Sequence, residues 1–183
     1  RQYWSETLAW ATADGTAIAN SVTETIIFPD VTIPANFMQD GRTVRVRAWG
    51  KHSTTGTPTL TVRVRWGGVS GVVLCASGAL VTGSAVTNAL FRVEADIQVR
   101  TNGATGKIMC NGLLTCYEDA APTVGSATNA SAESPMTAGG VSVPAEATVD
   151  LSVDKALSLT AQWGTQSASN TLTGHQYTLE AIN

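Results

Sequence analysis

Charge is what this sequence has least of: Asp, Glu, Lys and Arg together make up 14% of its 183 residues, well under the usual quarter. That scarcity excludes a coiled coil, a charge-laced helical bundle and a polyanion-binding basic domain. The formal net charge of −3 leaves no basic surplus, so nucleic acid is not an expected partner. Long apolar runs are also lacking, and no membrane partner is expected. No charged-then-apolar leader opens the chain, so export through a signal peptide is not expected. Cysteine is scarce and odd in number: Cys75, Cys110 and Cys116. An odd count argues against a secreted disulfide framework. On one strand Cys110 and Cys116 stand roughly 20 Å apart. On a hairpin turning at Asn111-Gly112 they point to opposite faces. Neither geometry brings their Cα atoms within the roughly 7 Å a bridge needs, so free, buried, reduced thiols are expected. His52 and His175 are the two histidines. Neither is spaced with the cysteines as zinc ligands require, and Asp150 to Asp154 lacks the ligand density of a calcium loop. No metal and no cofactor is therefore expected.

What is present is a hydrophobic fraction of 43% in a chain long enough for one domain, which excludes disorder. Period-2 alternation dominates and helical periodicity is nearly absent. Thr43 to Trp49 sets Val44, Val46 and Ala48 on one face, and Leu60 to Trp66 sets Leu60, Val62, Val64 and Trp66 inward. Phe91 to Arg100 alternates without a break through Val93, Ala95, Ile97 and Val99. Each reads as a half-buried strand. Weaker strands are expected at Thr23 to Phe28, Val72 to Cys75, Lys107 to Tyr117 (one bulged strand or a hairpin), Ala156 to Trp163 and Gln176 to Ile182. Only Pro34 to Met38 resembles a helical turn. Short strands punctuated by Gly, Pro, Asn and Asp predict an all-β, single-domain antiparallel β-sandwich. Residues 1–22 read as an N-terminal arm or short strand and 23–183 as the sandwich. Within it, the Ala/Ser/Thr/Gly/Pro-rich stretch 119–148 reads as a long loop, either an arm on a neighbouring subunit or a mobile surface loop, with Val141 to Val143 as one candidate strand.

The polar residues with most to say are arginines. Arg42, Arg45, Arg47, Lys51, Arg63 and Arg65 are six of the eleven basic residues. Paired as a hairpin, the two Arg strands would set Arg45 opposite Arg63 or Arg65, and like charges across a ladder repel. Crossing connections that put them in different sheets remove that conflict. Glu94 and Asp96 share the polar face of the third strand with Arg92 and Arg100. Their spacing superficially suits a glycosidase pair, but the neighbouring arginines favour ion pairing. One reading is a solvated Arg-carboxylate ladder; the other is a subunit contact, where Arg pairs bidentately. The interface candidates are Arg45, Arg47, Trp49, Arg63, Arg65, Glu94 and Asp96. Five of the aromatics are tryptophan: Trp66 and Trp163 are expected in the core, Trp49 against an arginine, and Trp4 and Trp10 on a docked N-terminal strand or arm. No nucleophile elbow, zinc-protease helix or phosphate loop occurs, so no enzyme activity is expected.

The run Thr25 to Asp30, then Ile33-Pro34-Ala35-Asn36-Phe37, Gly41 to Gly50, Thr57 to Arg65, Phe91 to Ala95, Trp163-Gly164 and Ser167 to Thr171 together resemble the β-sandwich virion proteins of tailed bacteriophages. The resemblance implies a jelly-roll-like sandwich, commonly trimeric, with no catalytic residues to carry over. It implies a structural virion protein assembled in the host cytoplasm. The expected role is a capsid decoration or cement protein, a homotrimer whose partner is the major capsid protein or another virion protein. The alternative is a tail fibre or baseplate module that binds a receptor or a carbohydrate, with a glycan as partner.

Overall fold

Alternation along each strand decides which side of the fold every residue meets. In the computed structural model, which describes residues 5–118, 131–138 and 143–182, β5 (Thr43–Ser53) buries Val44, Val46, Ala48, Gly50 and His52 and turns the intervening residues outward. β9 (Ala89–Thr101) buries Phe91, Val93, Ala95, Ile97 and Val99 in the same way. β6 (Thr59–Trp66) buries Leu60, Val62, Val64 and Trp66. The described residues hold strands and turns but no helix. Together they form one all-β domain, an antiparallel sandwich.

The strands form one continuous hydrogen-bonded sheet in the order β1 (Glu6–Trp10), β14 (Thr171–Ala181), β5, β9, β10 (Gly106–Tyr117), β11 (Ser131–Thr137), β7 (Val72–Ser77), β6, β13 (Lys155–Trp163) and β3 (Thr25–Ile26). It folds over into two layers, β1 to β10 in one and β7 to β3 in the other, and β11 joins them, paired over six residues with β10 and over two with β7. The long strands alternate between layers along the chain: β5 in the first, β6 and β7 in the second, β9 and β10 in the first, β13 in the second and β14 in the first. Such crossing connections join the two layers of a β-sandwich. Four short strands complete the edges: β2 (Ile18–Ala19) on β14, β4 (Val31–Ile33) on β13, β8 (Leu80–Val81) on β6 and β12 (Glu146–Val149) on β10.

The outer edges are covered by the chain itself. β1 and β2 pair with β14, and Gly15 donates to the Gly174 carbonyl between them. The chain then passes to the other layer, where β3, Ile27 and β4 pair with β13. Residues 6–33 thus hide two strand edges that would otherwise offer unpaired backbone groups. Phe28 crosses with them and stacks on Tyr177, ring centroids 5.1 Å apart. A Cβ on Gly174 would lie 2.3 Å from the Phe28 ring, and one on its cross-strand partner Gly50 would lie 2.6 Å from Phe91. Two facing glycines therefore make room for two buried phenylalanines.

The structure decides two points that the sequence leaves open, the course of Lys107 to Tyr117 and the pairing of the Arg strands, and it changes others. Asn111-Gly112 is not a turn: β10 is one strand with a register shift at Lys107/Ile108, paired along its length with β9. Gly112 is required because a side chain there would strike the Glu94 carbonyl oxygen at 2.3 Å. The two Arg strands do not form a hairpin, since β5 pairs with β14 and β9, whereas β6 pairs with β7, β8 and β13. The 119–148 stretch is not wholly loop. β11 pairs with the second half of β10 and with β7, and β12 pairs with the first half of β10. Small Ser, Thr and Ala side chains hid their alternation. Residues 119–130, and Val141 with residue 142, lie outside the described residues, and Val143 is exposed outside any strand. The Pro34 segment is a single turn closed by Phe37 N–H to the Pro34 carbonyl, with Asn36 at φ 58°. The last strand begins at Thr171 rather than Gln176, its start masked in the sequence by Gly174 and by a bulge at His175.

Candidate functional site

The outward residues of the β1–β14–β5–β9–β10 layer fall into cross-strand rows fixed by register. One row reads Glu180–Arg45–Asp96–Asn111, the next Trp10–Thr178–Arg47–Glu94–Leu113, and the third Gln176–Trp49–Arg92–Thr115. The arginines meet carboxylates on the same chain. Arg45 donates to both oxygens of Asp96, at 2.6 and 2.9 Å, a bidentate pairing. Arg92 lies 2.7 Å from Glu94 and sets its guanidinium over the Trp49 ring at 4.9 Å. Arg47 is the loosest, 3.7 Å from Glu94 and 3.9 Å from Glu180, and its Nε has no hydrogen-bond partner.

Of the sequence-predicted candidates, Arg45, Arg47, Trp49, Glu94 and Asp96 are brought together on this face. Arg63 and Arg65 are not. They belong to β6 in the other layer and converge on Glu24, at 3.0 and 2.6 Å. Thr160 also donates to that carboxylate. Burial alone would push the Glu24 carboxyl up, but the Arg65 and Thr160 hydrogen bonds and both guanidinium charges outweigh it and hold it below its ordinary value. Nothing in the sequence singled out Glu24, because its partners lie 39 to 136 residues away. Glu94 and Asp96 are each engaged by arginine, the ion-pair arrangement expected from their neighbours.

Beside the ladder lies a cleft of about 310 Å³ lined by Trp10, Ala11, Arg47, Trp49, Gln176, Tyr177 and Thr178. Three elements build it. β1 brings Trp10 to the edge of β14, opposite Thr178. β14 supplies Gln176 and Thr178, and the bulge at His175 turns Gln176 outward next to Trp49. β5 supplies Arg47 and Trp49. Trp10 is 63% exposed, the most exposed of the large aromatic side chains described. A second hollow of about 460 Å³ shares Trp10, Ala11 and Tyr177 and continues past Asp14 and Asp30. His175 Nδ1 lies 2.7 Å from Asp14 near this rim. Two indoles, a guanidinium, an amide and a hydroxyl around one open cleft offer stacking faces with hydrogen-bond donors and acceptors between them. That combination suits a hydroxyl-rich ring.

The other expected tryptophans, Trp66 and Trp163, are buried, their Nε1 groups donating to the Asp150 and Ile18 carbonyls; Trp4 lies outside the described residues. His52 sits on β5, fully buried. Neither of its ring nitrogens has a hydrogen-bond partner. Burial holds it at about 4, against a smaller opposing effect of the Ala89 backbone across the ladder. The described residues contain no group of three or more His, Cys, Asp or Glu that could hold a metal ion. Among them no helix is long and apolar enough to cross a membrane.

No family model and no curated protein matches the chain. One solved structure to which it is similar is the CBM2 module of Lactobacillus casei BL23 phage J-1 evolved Dit. That likeness has 13% identity and a TM-score of 0.38 and covers 100% of this chain and 98% of that chain.

Proposed function

We propose that the protein is a non-catalytic module of a tailed-bacteriophage particle that binds carbohydrate through the Trp10–Trp49 cleft. The observation that carries this is the cleft itself: a highly exposed indole on an edge strand lines it together with a second indole, Gln176, Thr178 and Arg47. An indole offers a large apolar face with a polar edge, which suits stacking against a sugar ring. The phage assignment rests on the sequence resemblance, and the sandwich with crossing connections agrees with it. The carboxylates Glu94 and Asp96 are given no catalytic role, each being held by an arginine.

The test is a glycan array on the wild-type chain, followed by titration of the best ligand into W10A and W49A. Each variant is expected to weaken binding at least about tenfold, the loss of a stacking contact of roughly 1.4 kcal/mol, with unchanged circular dichroism. An array without hits, or wild-type affinity in both variants, overturns the proposal.

A second reading is a capsid decoration protein that assembles as a homotrimer and caps the major capsid protein. Leu90 and Leu113, exposed on the outer face of β9 and β10, favour it as apolar anchors for a protein partner. The Arg45 and Arg47 guanidiniums are less available for that contact than the sequence implied, since Asp96, Glu94 and Glu180 of the same chain already face them. Mass measurement in solution separates the two: a stable monomer at micromolar concentration that does not bind heads removes the decoration reading.

A further inference from the structure

Two of the three cysteines, distant in sequence, meet in the core. Cys75 lies on β7 in one layer and Cys110 on β10 in the other, and both are fully buried. Their Sγ atoms are 2.6 Å apart. Register fixes each side chain: Cys75 pairs with Val64, and Cys110 with Ile97, so both point into the interior from facing strands. Cys116, six residues further along β10, is buried without a sulfur neighbour among the described contacts. The fold creates a pair between cysteines 35 residues apart that no local spacing records.

The geometry points to a Cys75–Cys110 disulfide as a covalent staple between the two layers of the sandwich, formed by exchange with a small-molecule disulfide such as oxidised glutathione. In the first step one protein thiol loses its proton and its thiolate attacks a glutathione sulfur. A mixed disulfide forms and one glutathione thiolate leaves. In the second step the other protein thiolate attacks the protein sulfur of that mixed disulfide and displaces the second glutathione. Two protein thiols are oxidised, one glutathione disulfide is reduced to two thiols, and the two protons end on the departing glutathiones. Cys75 and Cys110 are both fully buried, and burial raises the Cys110 thiol well above its ordinary value, so glutathione does not reach the pair while the core stays closed. Exchange therefore belongs to folding or to transient opening of the layers, and the closed product is shielded from reductant. A particle that assembles in a reducing compartment and then works outside it would gain the staple after release. The pairing itself does not depend on what the cleft binds.

The full chain is refolded in a mixture of reduced and oxidised glutathione, and its thiols are counted after denaturation. One free thiol of the three is expected, with a mass lower by about 2 Da and non-reducing peptide maps joining Cys75 to Cys110. The midpoint of thermal unfolding is expected to rise by several degrees, because the closed loop restricts the unfolded chain. In C116S no free thiol should remain, and in C75A both remaining thiols should persist. If refolding fails, the folded chain held with oxidised glutathione near its unfolding midpoint gives the same readout. Three persistent thiols under both conditions, or a linkage that includes Cys116, overturns the inference.

Discussion

His52 sets the most quantitative expectation. Its ring is fully buried between Leu172 of β14 and Ala89 of β9, and neither nitrogen finds a partner. The folded state therefore holds the imidazole neutral down to about 4, against an ordinary value of 6.5. Above pH 6.5 the ring is neutral whether the chain is folded or not, and it adds no pH dependence. As pH falls below 6.5 the unfolded chain takes up a proton that the folded chain refuses, so stability is lost through that window. The loss amounts to about 2 kcal/mol at pH 5 and about 3 kcal/mol at pH 4. Replacing the ring by leucine, similar in volume and without titratable atoms, removes this effect. Urea denaturation of wild type and H52L at pH 7, 5 and 4 measures it, because every other titrating group is common to both chains and cancels in the difference. The gap between them should move by about 3 kcal/mol in favour of H52L between pH 7 and pH 4. Parallel stability curves for the two proteins would refute the reasoning.

Glu24 should behave in a related way at lower pH. E24Q is expected to cost about 2 kcal/mol at pH 7 in chemical denaturation, since it leaves two part-buried guanidiniums without a counter-charge. Its folded carboxyl is held below 4.5. The Glu24 contribution is thus complete above that value and lost as pH falls through the folded one, and E24Q should show a flatter acid limb. Equal acid limbs would count against the buried cluster. G112A should lower the thermal midpoint by several degrees, because the new Cβ meets the Glu94 carbonyl oxygen at 2.3 Å and the Ala95 Cβ at 2.8 Å. An unchanged midpoint would mean that β9 and β10 part more easily than their register implies.

The faces of the long strands were legible in the sequence because alternation is a local property. Val44, Val46 and Ala48 point inward wherever β5 is placed, and so do Phe91 through Val99 in β9. Strands made of small residues were not legible. β11 reads Ser-Ala-Glu-Ser-Pro-Met-Thr, and only its pairing with β10 and β7 makes it a strand. The site was half legible. Arg45, Arg47, Trp49, Glu94 and Asp96 stood out because strand period placed them on outward faces. Trp10 and Gln176 became part of it only when β1 docked on β14 and a bulge reset the register at His175.

By itself the sequence determined an all-β sandwich, its inward faces and the lack of surplus charge. These follow from side-chain period and composition, which the chain carries residue by residue. The tertiary structure alone decided which strands are neighbours. It split the two Arg strands between layers, gathered Arg63 and Arg65 on Glu24, set Cys75 against Cys110 and opened the cleft between Trp10 and Trp49. Those contacts depend on the pairing of segments far apart in the chain, and no local pattern records which distant backbone will complete a strand's hydrogen bonds.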